Sequence, residues 1–226
     1  MPAEVLVFDM DGVLVDVTES YRETIRQTVF NFTGREISNR DVQDLKNEGG
    51  WNNDWRVAHH FVRGFGVEVS YEEVVAYFQK IFFGEDGSEG LIRRERWVAE
   101  AGLLERLSAR YQLAIFTGRI RQEVAFTLAR FAAGLRFDPI ITTDDDIRSK
   151  PAPDGLLRIA ELTPGKPLWY IGDTVDDLRC ARAAGVPFIG VAAPSNPRVN
   201  ELGALLLAEG AVAVIKDINQ LEALLP

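Results

Sequence analysis

Apolar positions along the chain follow two different periods. From Thr18 to about Gly84 they recur at helical spacing, and no run in that stretch reads as a strand. Tyr21, Ile25, Val29 and Phe32 form one stripe, and Asp41 to Lys46 a shorter helical piece. Trp55, Ala58, Val62 and Phe65 form another, closed by Gly64 and Gly66, and Val74, Phe78, Ile81 and Phe82 a last one. Ser20-x-x-Glu23 and Ser70-x-x-Glu73 have the form of capping boxes at the first and last of these helices. Stripes of this kind predict a small bundle whose helices bury their apolar faces against one another.

On either side of that insert the period changes. Val5 to Phe8 is a short, wholly apolar run, predicted as a fully buried strand. From Arg93 onward helix and strand patterns alternate. Trp97, Ala101, Leu104 and Leu107 predict a helix, Leu113 to Phe116 a strand, and Val124, Leu128 and Phe131 a helix. Strands follow at Pro139 to Thr142, Leu168 to Ile171, Pro187 to Val191 and Val212 to Ile215, with helices after Pro153-Asp154 and up to Gly185. A short helix ends the chain. Such alternation predicts an α/β fold with a parallel sheet covered on both faces. Gly84-Glu85-Asp86-Gly87-Ser88-Glu89-Gly90 has no apolar periodicity and reads as the return linker, with its partner hinge at Val15 to Thr18. The expected division is therefore 1–16 with 86–226 as the core and 17–85 as a helical insertion.

The first strand ends in Asp9-Met10-Asp11-Gly12. Alternate strand residues share a face, so both carboxylates can enter one space while Gly12 turns the backbone away. Two carboxylates held close repel unless a cation or proton lies between them. An ordinary Asp-Gly turn is the competing explanation, and partners further along the chain weigh against it. Thr117-Gly118-Arg119 ends one strand, Lys150-Pro151 precedes a helix, and Gly172-Asp173-Thr174-Val175-Asp176-Asp177 runs from a strand into a helix. Asp9 and Asp173 thus fall just past strand C-termini, where open α/β sheets hold their ligands. Asp173 and Asp177, four apart, share a helix face, although acids also collect at helix starts to suit the dipole. Asp144-Asp145-Asp146 is expected to be mostly solvated, with one residue orienting Lys150.

Taken in order, FDMDGVLVD, FTGR, KP and GDTVDD resemble the four motifs of the haloacid dehalogenase-like hydrolase superfamily, over nearly the whole chain. The helical insert resembles the cap of its first subclass. The resemblance implies a Rossmann-like, doubly wound parallel core with an inserted α-helical cap domain. It implies Asp9 as nucleophile and metal ligand, with Asp11 as general acid and base whose backbone carbonyl touches the metal. Thr117, Gly118 and Lys150 would bind phosphate. Asp9, Asp11, Asp173 and Asp177 would surround a metal, Asp173 directly and Asp177, with Asp176 a possible sharer of its role, as an orienting partner. An oxygen-only ligand set suits Mg²⁺. The loop from Lys46 to Asp54 corresponds to one that reaches over the site in related capped enzymes, making Asn47, Trp51 and Asn52 candidate substrate contacts. Packing of Trp51 into the bundle is the alternative. Arg119 is a further phosphate or cap-contact candidate, or an exposed helix-start arginine.

The expected function is a Mg²⁺-dependent phosphatase acting on a small phosphorylated metabolite through an aspartyl-phosphate. A phosphomutase of the beta-phosphoglucomutase type shares these motifs but needs more inward cations than Lys46 and Arg56 in the cap loop. A phospho-accepting receiver module is disfavoured by chain length, the insertion and the G-D-x-x-x-D stretch. The wording from Asp9 to Arg22 resembles a branch linked to histidine biosynthesis, which makes histidinol phosphate a candidate.

Composition adds exclusions. The net charge of −9 argues against nucleic-acid or anionic-membrane partners, so a phosphorylated substrate must be attracted locally. One cysteine, Cys180, allows no intramolecular disulfide and is expected to be a packing or surface residue. His59 and His60 are adjacent on a helix and do not share a metal. Met1-Pro2-Ala3 leads straight into the first strand, and no apolar run approaches the ~20 residues of a membrane span. A cytoplasmic protein is expected, and a monomer suffices for such a site.

Overall fold

The computed structural model describes residues 4–85 and 89–225. The middle of the expected linker, residues 86–88, lies outside them. Strand β1 (Val5–Phe8) is the centre of a six-stranded sheet, and all four of its residues are fully buried. It is flanked by β4 (Gln112–Phe116) and β6 (Leu168–Gly172), with β5 (Ile140–Ile141) beyond β4. Beyond β6 come β7 (Phe188–Val191) and β8 (Ala213–Ile215). Every pairing in this sheet is parallel. Phe8 is in register with Ile115 on one side and Ile171 on the other, so the three central strands end at one level.

Alternation along β1 divides the core in two. Leu6 and Phe8 join one cluster with Ile115, Ile171 and the buried stripes of the helical insert. Val5 and Val7 join the other, with Ala114, Tyr170, and Leu156, Leu178 and Ala181 from the opposite face. Helices lie on both faces, α5 (Leu103–Arg110), α6 (Arg121–Phe131), α7 (Asp154–Leu162), α8 (Val175–Ala184) and α9 (Val199–Glu209). This is the doubly wound α/β arrangement that strand–helix alternation predicts.

The insert holds α1 (Tyr21–Thr33), α2 (Asn39–Glu48), α3 (Asp54–Gly64) and α4 (Tyr71–Phe83). Tyr21 packs on Phe82 at 4.3 Å between ring centroids and also on Phe78, closing α1 onto α4. Ser70 and Glu73 form the expected capping box, and Ser38 and Asp41 form a second one on α2. The box expected at Ser20 does not form. Ser20 is not in the extended conformation that aims a cap hydroxyl at the first turn, and Glu23 instead accepts from Arg26 and Gln27.

Trp97 is a strand residue rather than part of a helix. Arg96–Trp97 (β3) pair antiparallel with Val15–Asp16 (β2), and Val98 N–H donates to Leu14 O at 3.0 Å. An Arg96–Asp16 ion pair of 2.9 Å closes the ribbon. The chain's exit into the insert and its return are thereby tied together, and α5 starts only at Leu103. Helix α9 has Leu202 and Leu206 buried and Leu207 exposed, a pattern too apolar all round to show as a stripe. Among the described residues no helix is long and apolar enough to cross a membrane.

Candidate active site

The shared register delivers three motif residues to one edge of the sheet. Asp9 N–H still pairs with Ile171 O at 2.8 Å, so its side chain leaves the ladder where β6 gives way to Gly172-Asp173. Asp9, Asp173 and Asp177 each offer a carboxylate oxygen, all within 4.8 Å of one another. Lys150 Nζ lies 3.0 Å from Asp9 Oδ1 and 2.7 Å from Asp177 Oδ1. Lys150 thus pairs directly with two of the three carboxylates, and Asp173 feels Lys46 and Arg22 only from a distance. Burial, opposed by Lys150, pushes Asp9 up to about 7, and burial pushes Asp173 well above the carboxylate range. An all-oxygen cluster with uncompensated negative charge suits a hard divalent cation. Gly12 has φ +74°, and a Cβ there would fall on the Asp173 carboxylate.

Asp177 differs from its two neighbours. Its Oδ1 accepts from Lys150 at 2.7 Å and from the Tyr170 hydroxyl at 2.6 Å. Its Oδ2 accepts from Thr174 N–H at 3.0 Å and the Thr174 hydroxyl at 2.6 Å. Four donors occupy the four lone-pair positions of a carboxylate, and together with the Lys150 charge they hold its pKa down although burial opposes them. Asp176 does not share this role: it is buried against the insert, where it accepts the Gly50 N–H at 2.7 Å. Asp145 does not reach Lys150 either, because it accepts from Thr142 and pairs with Arg121.

The Asp11 side chain lies outside the acidic triad, as its expected role of general acid and base with only its backbone carbonyl towards a metal requires. Arg119 Nε and Nη2 both donate to its Oδ1, at 2.8 and 2.5 Å. Arg119 is not an exposed helix-start residue: its side chain is 0% exposed, and it also donates to Glu95 at 2.7 Å and Thr127 at 2.8 Å. Burial works against this guanidinium, but Asp11 and the other partners hold its pKa well up. The Thr117 hydroxyl accepts Arg119 N–H at 3.2 Å. Thr117, Gly118, Lys150 and Asn52 line a space of about 10 Å³ beside the carboxylates.

A cavity of about 50 Å³ lies over Asp9, Asp11 and Asp173. Its roof is Arg22, Gln43, Lys46, Asn52, Asn53, Asp54 and Trp55, from the insert. Asn52 sits so close to Gly118 that a Cβ there would come within 2.8 Å of its amide. Asn47 and Trp51 do not line this cavity. Asn47 accepts from Gln43 at 2.8 Å, while Trp51 packs on His60 at 4.6 Å and faces a separate groove with Arg56 and Tyr71. The roof is held down by Asp44–Arg198, with oxygens 2.5 and 2.6 Å from the guanidinium, and by Gly50 on Asp176.

A model of haloacid dehalogenase-like hydrolases matches residues 3–185. The chain belongs to that family. Phosphoglycolate phosphatase of Escherichia coli strain K12 is 26% identical over 204 residues, 82% of this chain and 80% of the relative. An imidazoleglycerol-phosphate dehydratase of Phytophthora nicotianae is 33% identical over 204 residues, 86% of this chain. Those residues are 44% of that relative, so the chain spans less than half its length. A haloacid dehalogenase-like hydrolase from Bacteroides fragilis shares the fold, with TM-score 0.75 at 20% identity over 98% of this chain and 100% of that one.

Within this hydrolase, several cavity residues carry no family motif. Tyr21, Arg22, Gln43 and Glu123 line the cavity, and Glu95 lies buried behind it against Arg119. Arg22 had one readable signal, a cation in the first turn of a helix, where the dipole disfavours it. Glu123 is 1% exposed, and burial, opposed by the Tyr21 hydroxyl and Arg119, pushes its pKa up from 4.5 to about 7. The folded state thus binds this proton more tightly than the unfolded chain, so stability falls as pH rises from 4.5 through 7. Ionised Glu123 costs about 3 kcal/mol at pH 8 by that linkage. Glu123→Gln should raise Tm at pH 8 and leave it unchanged near pH 4; an equal shift at both pH values would refute the linkage.

Trp51 gives a contrasting expectation. Trp51→Ala should lower stability by about 2 kcal/mol through lost packing on His60 and the bundle. The kcat/KM values for large and small esters should fall by the same factor. A selective loss on the larger ester would restore Trp51 as a substrate contact. Cys180 is buried and donates to Ala152 O at 3.1 Å, and burial pushes its thiol up to about 12, as an inert packing residue requires.

Proposed function

We propose that the protein is a Mg²⁺-dependent phosphatase of small phosphomonoesters. The observation that carries this reading is the Asp9–Lys150–Asp177 chain, with Asp173 completing an acidic cluster at the ends of β1 and β6. Asp9 and Asp173 would hold Mg²⁺, which when bound neutralises negative charge between nucleophile and phosphate. Asp177, its lone pairs filled, fixes Lys150 and the Asp173 turn. Thr117, Gly118 and Lys150 are the phosphate contacts, and residues 17–85 form the cap over the 1–16 and 86–226 core.

Asp9 attacks the phosphorus atom, and the ester oxygen departs with a proton from Asp11. Asp11 then takes a proton from the water that splits the aspartyl-phosphate. Arg119 holds Asp11 beside the cavity in both steps. The cap lies over this cavity, and its opening would admit an ester while its closure shuts water out. Asn52, which spans both small spaces, is the cap residue proposed to touch substrate. A curated relative named for hydrolysis of phosphoglycolate supports a small substrate.

A panel of phosphorylated metabolites, assayed for inorganic phosphate with and without Mg²⁺, tests the reading. Release restricted to Mg²⁺ and carrying ¹⁸O from labelled water is expected. Interconversion of sugar phosphate isomers with little release would establish the mutase instead, and no turnover of any ester would refute both.

A further inference from the structure

We infer that the substrate's leaving group carries a carboxylate, gripped by Arg22 with help from Lys46. The inference rests on the phosphatase reading and narrows its substrate class. Arg22 is the second residue of α1, where a cation meets the positive end of the helix dipole. It is half-buried and lines the cavity over Asp9. Its Nη2 donates to Gln43 Oε1 at 2.6 Å, while its Nη1 is buried without a hydrogen-bond partner. A guanidinium placed against the dipole and left short of an acceptor is costly for the fold alone.

The surroundings hold Arg22 in place without neutralising it. Gln43 is 3% exposed and donates its own Nε2 to Asn47 at 2.8 Å, which fixes its oxygen towards Arg22. Lys46, the other inward cation, has an ion-pair partner in Asp54 at 2.6 Å. Among the described residues Arg22 has none. Desolvation works against its charge, and the fields of Asp173, Asp54, Asp16 and Asp11 sustain it.

Position and shape give the ligand chemistry. Arg22 and Asp173 are shared walls between the cavity over Asp9 and a wider one of about 260 Å³ that reaches Asn196 and Lys216. A phosphoryl group at Asp9 therefore directs the rest of its ester past Arg22. A carboxylate there would accept from the free Nη1 and match the planar guanidinium fork. An ammonium group, as in histidinol phosphate, would be repelled by Arg22 and Lys46 together. A neutral alcohol leaves the guanidinium charge unanswered, and a second phosphate is the rival anion that a diphosphonate probe distinguishes.

Calorimetric titration of the full chain in Mg²⁺ with four phosphonates tests this. The probes are 3-phosphonopropionate, propylphosphonate, 3-aminopropylphosphonate and ethylene-1,2-diphosphonate. The carboxylate probe should bind at least ~10-fold tighter than the propyl and amino probes, the range of one charge-assisted contact. Arg22→Gln should bring the carboxylate-to-propyl ratio to within about twofold, and Arg22→Lys should restore part of it. A wild-type ratio near one overturns the inference without any variant. So does a ratio that Arg22→Gln leaves intact, which would confine Arg22 to balancing the acidic cluster. Tighter binding of the diphosphonate replaces the carboxylate with a second phosphate. Phosphate release from monoesters with no carboxylate preference sinks this inference alone. The preference without release from any ester sinks only the phosphatase reading.

Discussion

Asp9→Asn is expected to lower phosphate release from every phosphomonoester by at least ~10⁴-fold, as loss of a covalent nucleophile does elsewhere. The fold should survive, because the amide keeps the shape of a side chain buried at the end of β1. Stability should even rise in a chelator. Ionised Asp9 is costly above its raised pKa of about 7, so the gain appears at pH 8 and vanishes below the unfolded value of 3.8. Adding Mg²⁺ should reverse the order. A cation bound only by the folded state raises Tm with concentration, and the variant has lost one of the carboxylates proposed to hold it. Thermal melts at pH 8 with and without Mg²⁺ should therefore cross between wild type and Asp9→Asn. Wild-type turnover in the variant would remove Asp9 as nucleophile. Parallel melts, with no crossing, would remove it from the metal site.

The motif residues were legible because each stands at a strand end, and strand ends show in the apolar pattern. Val5–Phe8, Leu113–Phe116 and Leu168–Ile171 are short buried runs that stop at Asp9, Thr117 and Gly172. What the pattern does not encode is direction around a helix or across a loop. Trp51 is a large apolar residue beside glycines and amides, and only the packing of His60 decides which way it faces. Glu95 sits where no period is readable, yet it meets Arg119 across 24 positions of sequence. The case against a mutase changes for the same reason. Of the two cap-loop cations weighed in the sequence, Lys46 faces the cavity and Arg56 the Trp51 groove, while Arg22 enters from α1. With two inward cap cations the charge count no longer separates the reactions. The named phosphatase among the relatives and the labelled-water assay carry that choice.

Removing Arg119 should produce the largest loss of stability of any single change near the site. Its guanidinium is wholly enclosed and joins Asp11, Glu95 and Thr127, and the Thr127 hydroxyl donates to Glu95 in turn at 2.8 Å. Burial is the main influence pushing Glu95 up, with the Asp11 charge adding to it, and Arg119 is the main influence pulling it back. Arg119→Met leaves that carboxylate buried without its cation, which typically costs about 3–5 kcal/mol. At about 2–4 °C per kcal/mol for a chain of this size, Tm should fall by roughly 6–20 °C. The deficit should shrink as pH falls, because Glu95 buried without its cation takes up a proton more readily in the folded chain than in the unfolded one. A second change, Glu95→Gln, should return much of the stability by removing the stranded charge. Activity should not return with it. Arg119 also fixes Asp11 beside the cavity, and a misplaced general acid and base costs about 10²-fold in kcat. Melts and kcat for Arg119→Met and Arg119→Met/Glu95→Gln, assayed well below their Tm, separate the two roles. Recovery of both quantities in the double variant would make Arg119 a support of the fold alone, and Asp11 would then be positioned by the β1 turn itself.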